Sequence, residues 1–135
     1  MFICSLLQKG TQMTNDMDQD RCLCAIVHAG PVATAKAAEV PVARLLGLAE
    51  LFKVLGEPSR LRILNALGAA ELCVCDLSTA LDMSQSAVSH QLAILRGARL
   101  VRARRDGKAM FYALDDTHVS EIVGIASVHL SERKE

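Results

Sequence analysis

A chain of 135 residues, half of them apolar, is long enough for one small domain with a core, and its formal net charge of zero gives by itself no sign of nucleic acid. No run approaches the ~20 apolar residues of a membrane span. Residues 1–7 are apolar but lack a basic n-region and a small-residue cleavage site, which argues against a signal peptide and for a reducing, cytoplasmic setting where disulfides are rare. With three Phe, one Tyr and no Trp, the apolar supply is Ala, Leu and Val, which suits helices.

Residues 1–40 show no sustained periodicity. They are polar and acidic up to Arg21, then small and Ala-rich, and read as a mobile arm bearing a C-x-C pair, Cys22 and Cys24. Met13 and Met17 are alternative starts. Residues 41–135 read as the folded domain. A first helix over 41–55 places Leu45, Leu48, Leu51, Phe52 and Leu55 on one side, and Gly56 stops it. A second begins at Pro58, whose missing N–H is harmless in a first turn, and should bury Leu61, Ile63, Leu64 and Leu67 before Gly68. A short helix over 75–81, a turn Asp82-Met83-Ser84 and a helix over 85–96 follow, with Ser84 as N-cap.

Beyond Leu100 the pattern becomes strand-like. Residues 101–105 alternate, Asp106-Gly107 is a hairpin turn, and 108–114 runs back. Asp115 or Asp116 then caps a last helix to about residue 131, with Val119, Ile122, Val123, Ala126 and Leu130 at helical spacing. The expected fold is mostly α with a small β-hairpin, in the order of a winged helix-turn-helix.

In the helix over 85–96, Val88, Leu92 and Leu95 share the core face. Ser86, Ser89, His90 and Ala93 lie on the opposite arc, with Gln85 leading and Ser84 before it. A solvated helix usually carries Glu and Lys there. Short hydroxyl and amide groups are what base edges in a major groove require. Between Ser84 and Tyr112 stand six Lys or Arg against the single acid Asp106. The hairpin offers Arg104, Arg105 and Lys108 to phosphate or to the minor groove. The expected partner is operator DNA.

The run Glu71-Leu72-Cys73-Val74-Cys75-Asp76-Leu77, followed by Ser84-Gln85-Ser86-Ala87-Val88-Ser89-His90-Gln91-Leu92, closely resembles the ArsR/SmtB family of metal-responsive repressors. The resemblance covers roughly residues 45–132. It implies a homodimer that occupies a two-fold symmetric operator when metal-free and releases it on binding metal.

Two ligand sets present themselves. Cys73 and Cys75 form one C-x-C pair, and Cys22 and Cys24 the other, with His28 as a possible substitute in the arm. Together they make a soft four-sulfur set suited to Zn(II), Cd(II) or Pb(II). The resemblance implies that arm cysteines complete the Cys73–Cys75 site, within or across protomers. Arsenite sensors commonly carry a third cysteine where this chain has Ser78, which argues against a three-thiolate arsenite site. The second set is Asp116, His118, His129 and Glu132 in the last helix, an O, N, N, O set suited to Zn(II). His118 and His129 stand 11 residues apart. In one helix that puts them on nearly the same face, but about 16 Å apart along the axis. Two copies packed antiparallel about a two-fold axis bring the start of one helix to the end of its mate. The spacing therefore predicts a homodimer paired through its last helix, within an expected dimer through the N- and C-terminal helices, and zinc sensors of the family share this ligand pattern. The alternatives are a thiol-redox or arsenite-responsive repressor using Cys73 and Cys75. No substrate-pocket signature or catalytic base stands beside the cysteines, so neither an enzyme nor a small-molecule substrate is expected.

Overall fold

The computed structural model describes residues 25–133, and Cys4, Cys22 and Cys24 lie outside the described residues. The chain divides into two units, Met1–Val40 and Pro41–Glu135. In the first, α1 (Ala29–Ala37) is a helix where periodicity predicts none. Its cause is propensity. Ala29, Ala33, Ala35 and Ala37 are the best helix formers, and Pro31 falls in the first turn, where no N–H partner is needed. With no apolar stripe, the helix escapes a periodicity reading.

The second unit begins with α2 (Val42–Leu55) and α3 (Pro58–Ala69). Pro58 occupies the first helical position, and the N-cap Glu57 accepts a hydrogen bond from the Arg60 N–H at 2.9 Å. A two-residue strand, β1 (Leu72–Cys73), leads into α4 (Val74–Leu81) and α5 (Gln85–Gly97). The strands β2 (Val101–Asp106) and β3 (Ala109–Leu114) follow, then α6 (Thr117–Glu132). The sheet is antiparallel in the order β1-β3-β2. The sequence leaves β1 unread, because two residues carry no period of their own and are strand only by pairing with Tyr112 and Phe111.

The hairpin turn differs by one residue from expectation. Asp106 pairs with Ala109, so the central residues are Gly107 and Lys108 rather than Asp106 and Gly107. Only Gly107 takes a positive φ, +60°, which is what a two-residue turn with glycine first requires. Lys108 thereby becomes the tip of the wing.

The core joins Leu55, Ile63, Leu64, Leu67, Leu77, Val88, Leu92, Leu95, Leu100, Val101 and Val119. Each fully buried Leu or Val in it is worth about 1.5–3 kcal/mol of transfer free energy. Three expected core stripes are only partly buried. Of the α2 stripe only Leu55 is buried, with Leu51 packed beside it, while Leu45, Leu48 and Phe52 are exposed. Leu61 in α3 and Ala126 and Leu130 in α6 are exposed as well, and so are Ile125 and Val128. A helix stripe wider than the surface its own domain offers can bury only one edge, so α2 and α6 each keep an uncovered apolar flank.

Candidate nucleic-acid interface and metal sites

The α4–turn–α5 unit is held by local bonds and by two arginines from α3. Asp82 ends α4 in the left-handed conformation at φ 52°. The Met83 N–H donates to the Ser78 carbonyl at 3.1 Å, and the Ser78 hydroxyl donates back to the Met83 carbonyl at 2.5 Å. Ser78 is thus occupied in closing the turn. Ser84 caps α5 by accepting the Ala87 N–H at 3.1 Å, as its position predicts. Arg62 donates to the Leu81 carbonyl at 2.5 Å, satisfying the last turn of α4. Arg60 donates to the Val54 carbonyl at 2.6 Å and to Gln91 Oε1 of α5 at 3.2 Å. Sequence reasoning missed both arginines, because their partners lie 31 and 19 residues away and no local pattern signals them.

Val88, Leu92 and Leu95 of α5 are 0–1% exposed. Ser84, Gln85, Ser86, Ser89, His90 and Ala93 all face outward. The outer arc therefore carries hydroxyl, amide and imidazole groups on a helix whose opposite side is locked into the core. That combination can present hydrogen-bonding groups to base edges without the entropy cost of ordering long side chains.

The wing treats its basic residues unequally. Arg105 and Lys108 are exposed and, among the described residues, form no ion pair. Arg104 pairs with Glu71, approaches Asp106 at 3.7 Å, and lies 5.1 Å from the centroid of the Phe111 ring. The hydrogen bond to Glu71 raises the Arg104 pKa above its already high ordinary value.

Cys73 is the N-cap of α4 rather than part of it. Its sulfur accepts the Asp76 N–H at 3.4 Å while Asp76 Oδ2 accepts the Cys73 N–H at 3.1 Å, a capping box with sulfur in place of a hydroxyl. Hydrogen bonding to the Asp76 carboxyl by the Cys73 side chain, and then by the Cys73 N–H, holds it below the usual range. Cys75 is exposed in the first turn, and its sulfur accepts the Gln85 Nε2 at 3.6 Å. Both thiols are free. Their expected co-ligands Cys22 and Cys24 lie outside the described residues.

At the head of α6, Asp116 stands at the N-cap position but makes no side-chain cap bond. Its carboxylate turns instead to His118 Nδ1 at 3.3 Å, and that contact lowers its pKa. His118 and Asp116 are 77% and 51% exposed, so the O, N pair opens to solvent. His129 and Glu132 are exposed at the far end of the same unbroken helix. Among the described residues, no three His, Cys, Asp or Glu side chains of a single chain converge on one point. The donors present fit a metal in pairs: two sulfurs at α4, and an oxygen with a nitrogen at each end of α6.

Residues 57–103 match the family model described as bacterial regulatory protein, arsR family. Over 128 residues the chain is 41% identical to the transcriptional repressor SmtB homolog of Synechocystis, a match spanning 95% of this chain and 96% of that one. The chain belongs to the ArsR/SmtB family. It is also 32% identical over 117 residues to the cadmium resistance regulatory protein CadC homolog of Staphylococcus aureus, covering 86% of this chain and 96% of that protein. The homodimeric winged helix-turn-helix domain of a possible ArsR-family regulator from Mycobacterium bovis superposes with a TM-score of 0.65 at 31% identity, over 70% of this chain and 87% of that one.

For an ArsR/SmtB chain, the α4–α5 pair and the β2–β3 hairpin are the winged helix-turn-helix of a DNA-binding transcriptional regulator. No helix among the described residues is long and apolar enough to cross a membrane. Uncovered apolar flanks lie on α2 and α6, and α6 is the helix from which the spacing of His118 and His129 predicts dimer contacts.

Proposed function

We propose that this ArsR/SmtB protein is a cytoplasmic metal-sensing repressor. As a homodimer it holds a two-fold symmetric operator when metal-free. It releases that operator on binding Zn(II), Cd(II) or Pb(II), and so derepresses genes for metal export or sequestration. The observation that carries this reading is the 3.6 Å contact between Cys75 of the thiol pair and Gln85, the first residue of the outward-facing helix α5. A ligand-binding group and a base-reading group are in direct touch.

Ser84, Gln85, Ser86, Ser89 and His90 read the major groove, and wing cations meet phosphate. Cys73 and Cys75, completed by Cys22 and Cys24, form a thiolate site. Asp116 and His118 of one α6, with His129 and Glu132 of a second copy, form an oxygen–nitrogen site twice per dimer. Either site derepresses by preferring the dimer arrangement that suits DNA less, since linkage makes metal and operator antagonists. A switch from 1:99 to 99:1 needs about 5.5 kcal/mol of differential affinity.

The test is an operator mobility shift on wild type, Cys73→Ser and His118→Ala, titrated with Zn(II), Cd(II), Pb(II) and arsenite under reductant, and separately with hydrogen peroxide in the absence of reductant and metal. Release of wild type by Zn(II), Cd(II) or Pb(II) supports the reading. If none of the three releases it, the reading is wrong, and release by arsenite alone or by an oxidant alone identifies the arsenite or redox alternative. Loss of response in Cys73→Ser only, or in His118→Ala only, assigns the regulatory site.

A further inference from the structure

Three residues form one row across the sheet. Cys73 of β1 and Arg104 of β2 are both paired with Phe111 of β3. Directly opposed residues of antiparallel strands project to the same face, and strand positions two apart share a face. Glu71 lies just before β1, and its carboxylate pairs with Arg104 of this row. The guanidinium, though its side chain is 57% exposed, has three neighbours: Glu71, Asp106 at 3.7 Å, and the Phe111 ring at 5.1 Å from its centroid. Arg105, next along the strand, projects to the opposite face, and Lys108 stands in the turn.

Two carboxylates beside one guanidinium offset much of the charge it could offer a phosphate. Reaching DNA would require giving up both the ion pair and the cation–π contact. We infer that Arg104 is not a phosphate contact but a positioning residue: with Glu71 and Phe111 it fastens the wing to the segment that carries Cys73, and the wing's phosphate contacts are Arg105 and Lys108. The sequence reading that grouped Arg104 with those two is thereby revised. The inference rests on the DNA-binding reading, and it also ties the wing's orientation to the strand on which one of the proposed metal ligands sits.

The test uses the full chain and a duplex that wild type enriches from a random-sequence pool, with dissociation constants measured over a range of salt. Arg105→Gln and Lys108→Gln should each reduce the slope of log K against log salt by about 0.9, the signature of one lost phosphate contact. Arg104→Gln should weaken binding with the slope unchanged. Arg104→Glu should bind weakly, and the swap Glu71→Arg/Arg104→Glu should regain about fivefold over it, the range of an exposed ion pair. A slope reduced by about 0.9 in Arg104→Gln, together with no recovery in the swap, would make Arg104 a phosphate contact and overturn the inference. Hydrogen exchange on free protein keeps the test independent of DNA affinity. Arg104→Gln should speed exchange in residues 72–73 and 101–114 while leaving α3 and α5 protected, and unchanged exchange there counts against fastening. If wild type enriches no duplex at all, it is the DNA-binding reading that fails, and the inference falls with it.

Discussion

The sulfur of Cys75 and the side-chain amide of Gln85 meet at 3.6 Å across the helix-turn-helix. Cys75 lies in the first turn of α4 and Gln85 opens α5, so a thiol of the proposed metal site touches the leading residue of the proposed DNA reader. Titration with Cd(II) should produce the ultraviolet charge-transfer band of a thiolate complex in wild type and in His118→Ala. Cys73→Ser and Cys75→Ser should each weaken it, and Cys73→Ser/Cys75→Ser should lose most of it. A band undiminished in the double variant would place the thiolate site elsewhere in the chain.

The α6 ligands can be tested by complementation. Take chains carrying Cys73→Ser throughout, so that only α6 is read. Asp116→Ala/His118→Ala chains alone, and His129→Ala/Glu132→Ala chains alone, should hold no zinc tightly. Unfolding and refolding the two together should restore about a quarter of the unmodified capacity, because half the dimers are then mixed and each mixed dimer keeps one of its two sites. Full zinc binding by either variant alone would show that the site is not built from two copies of α6.

Glu57 supplies a pH dependence away from both ligand sets. Hydrogen bonds from the backbone N–H groups of Arg60 and then Ser59 hold its carboxyl below the usual glutamate range. A depressed folded-state pKa stabilises the fold above the unfolded value of about 4.3, and that contribution is lost as pH falls through the lower, folded value. Wild type should therefore melt higher than Glu57→Ala at neutral pH, with the gap closing in acid. A gap that stays constant down to the acid transition would mean that the carboxylate charge contributes nothing to the cap.

Ser84 combines a structural and a proposed functional role, and two substitutions separate them. Ser84→Ala should cost about 1 kcal/mol of stability by leaving the Ala87 N–H unsatisfied. Ser84→Asp keeps the cap, since a carboxylate is an equally good acceptor at a helix N-terminus, and should preserve the melting temperature. In the proposed major-groove interface, however, that charge should weaken duplex binding. Undiminished binding by Ser84→Asp would put the start of α5 outside the DNA interface.

Much of the domain is legible in the order of its amino acids. The spacing of Val88, Leu92 and Leu95, Pro58 at a first helical position, Ser84 before α5 and Gly107 in the hairpin all act within a few residues, and the chain writes such interactions out locally. The ligand types follow from residue chemistry alone, and the separation of His118 from His129 follows from helix geometry. What escapes is whatever depends on which surfaces meet. The strand β1 exists only because β3 lies beside it, Arg60 finds Gln91 from 31 residues away, and Asp116 gives its carboxylate to His118 instead of to the helix end. By itself the sequence determined the order of α2 to α6 and the β2–β3 hairpin, the face of α5 turned to the core and the inventory of candidate metal donors. Only the tertiary structure decided that Arg104 is claimed by Glu71 and that the stripes of α2 and α6 are half uncovered, because a long side chain's partner and a stripe's burial are set by packing between distant segments, which no local period encodes.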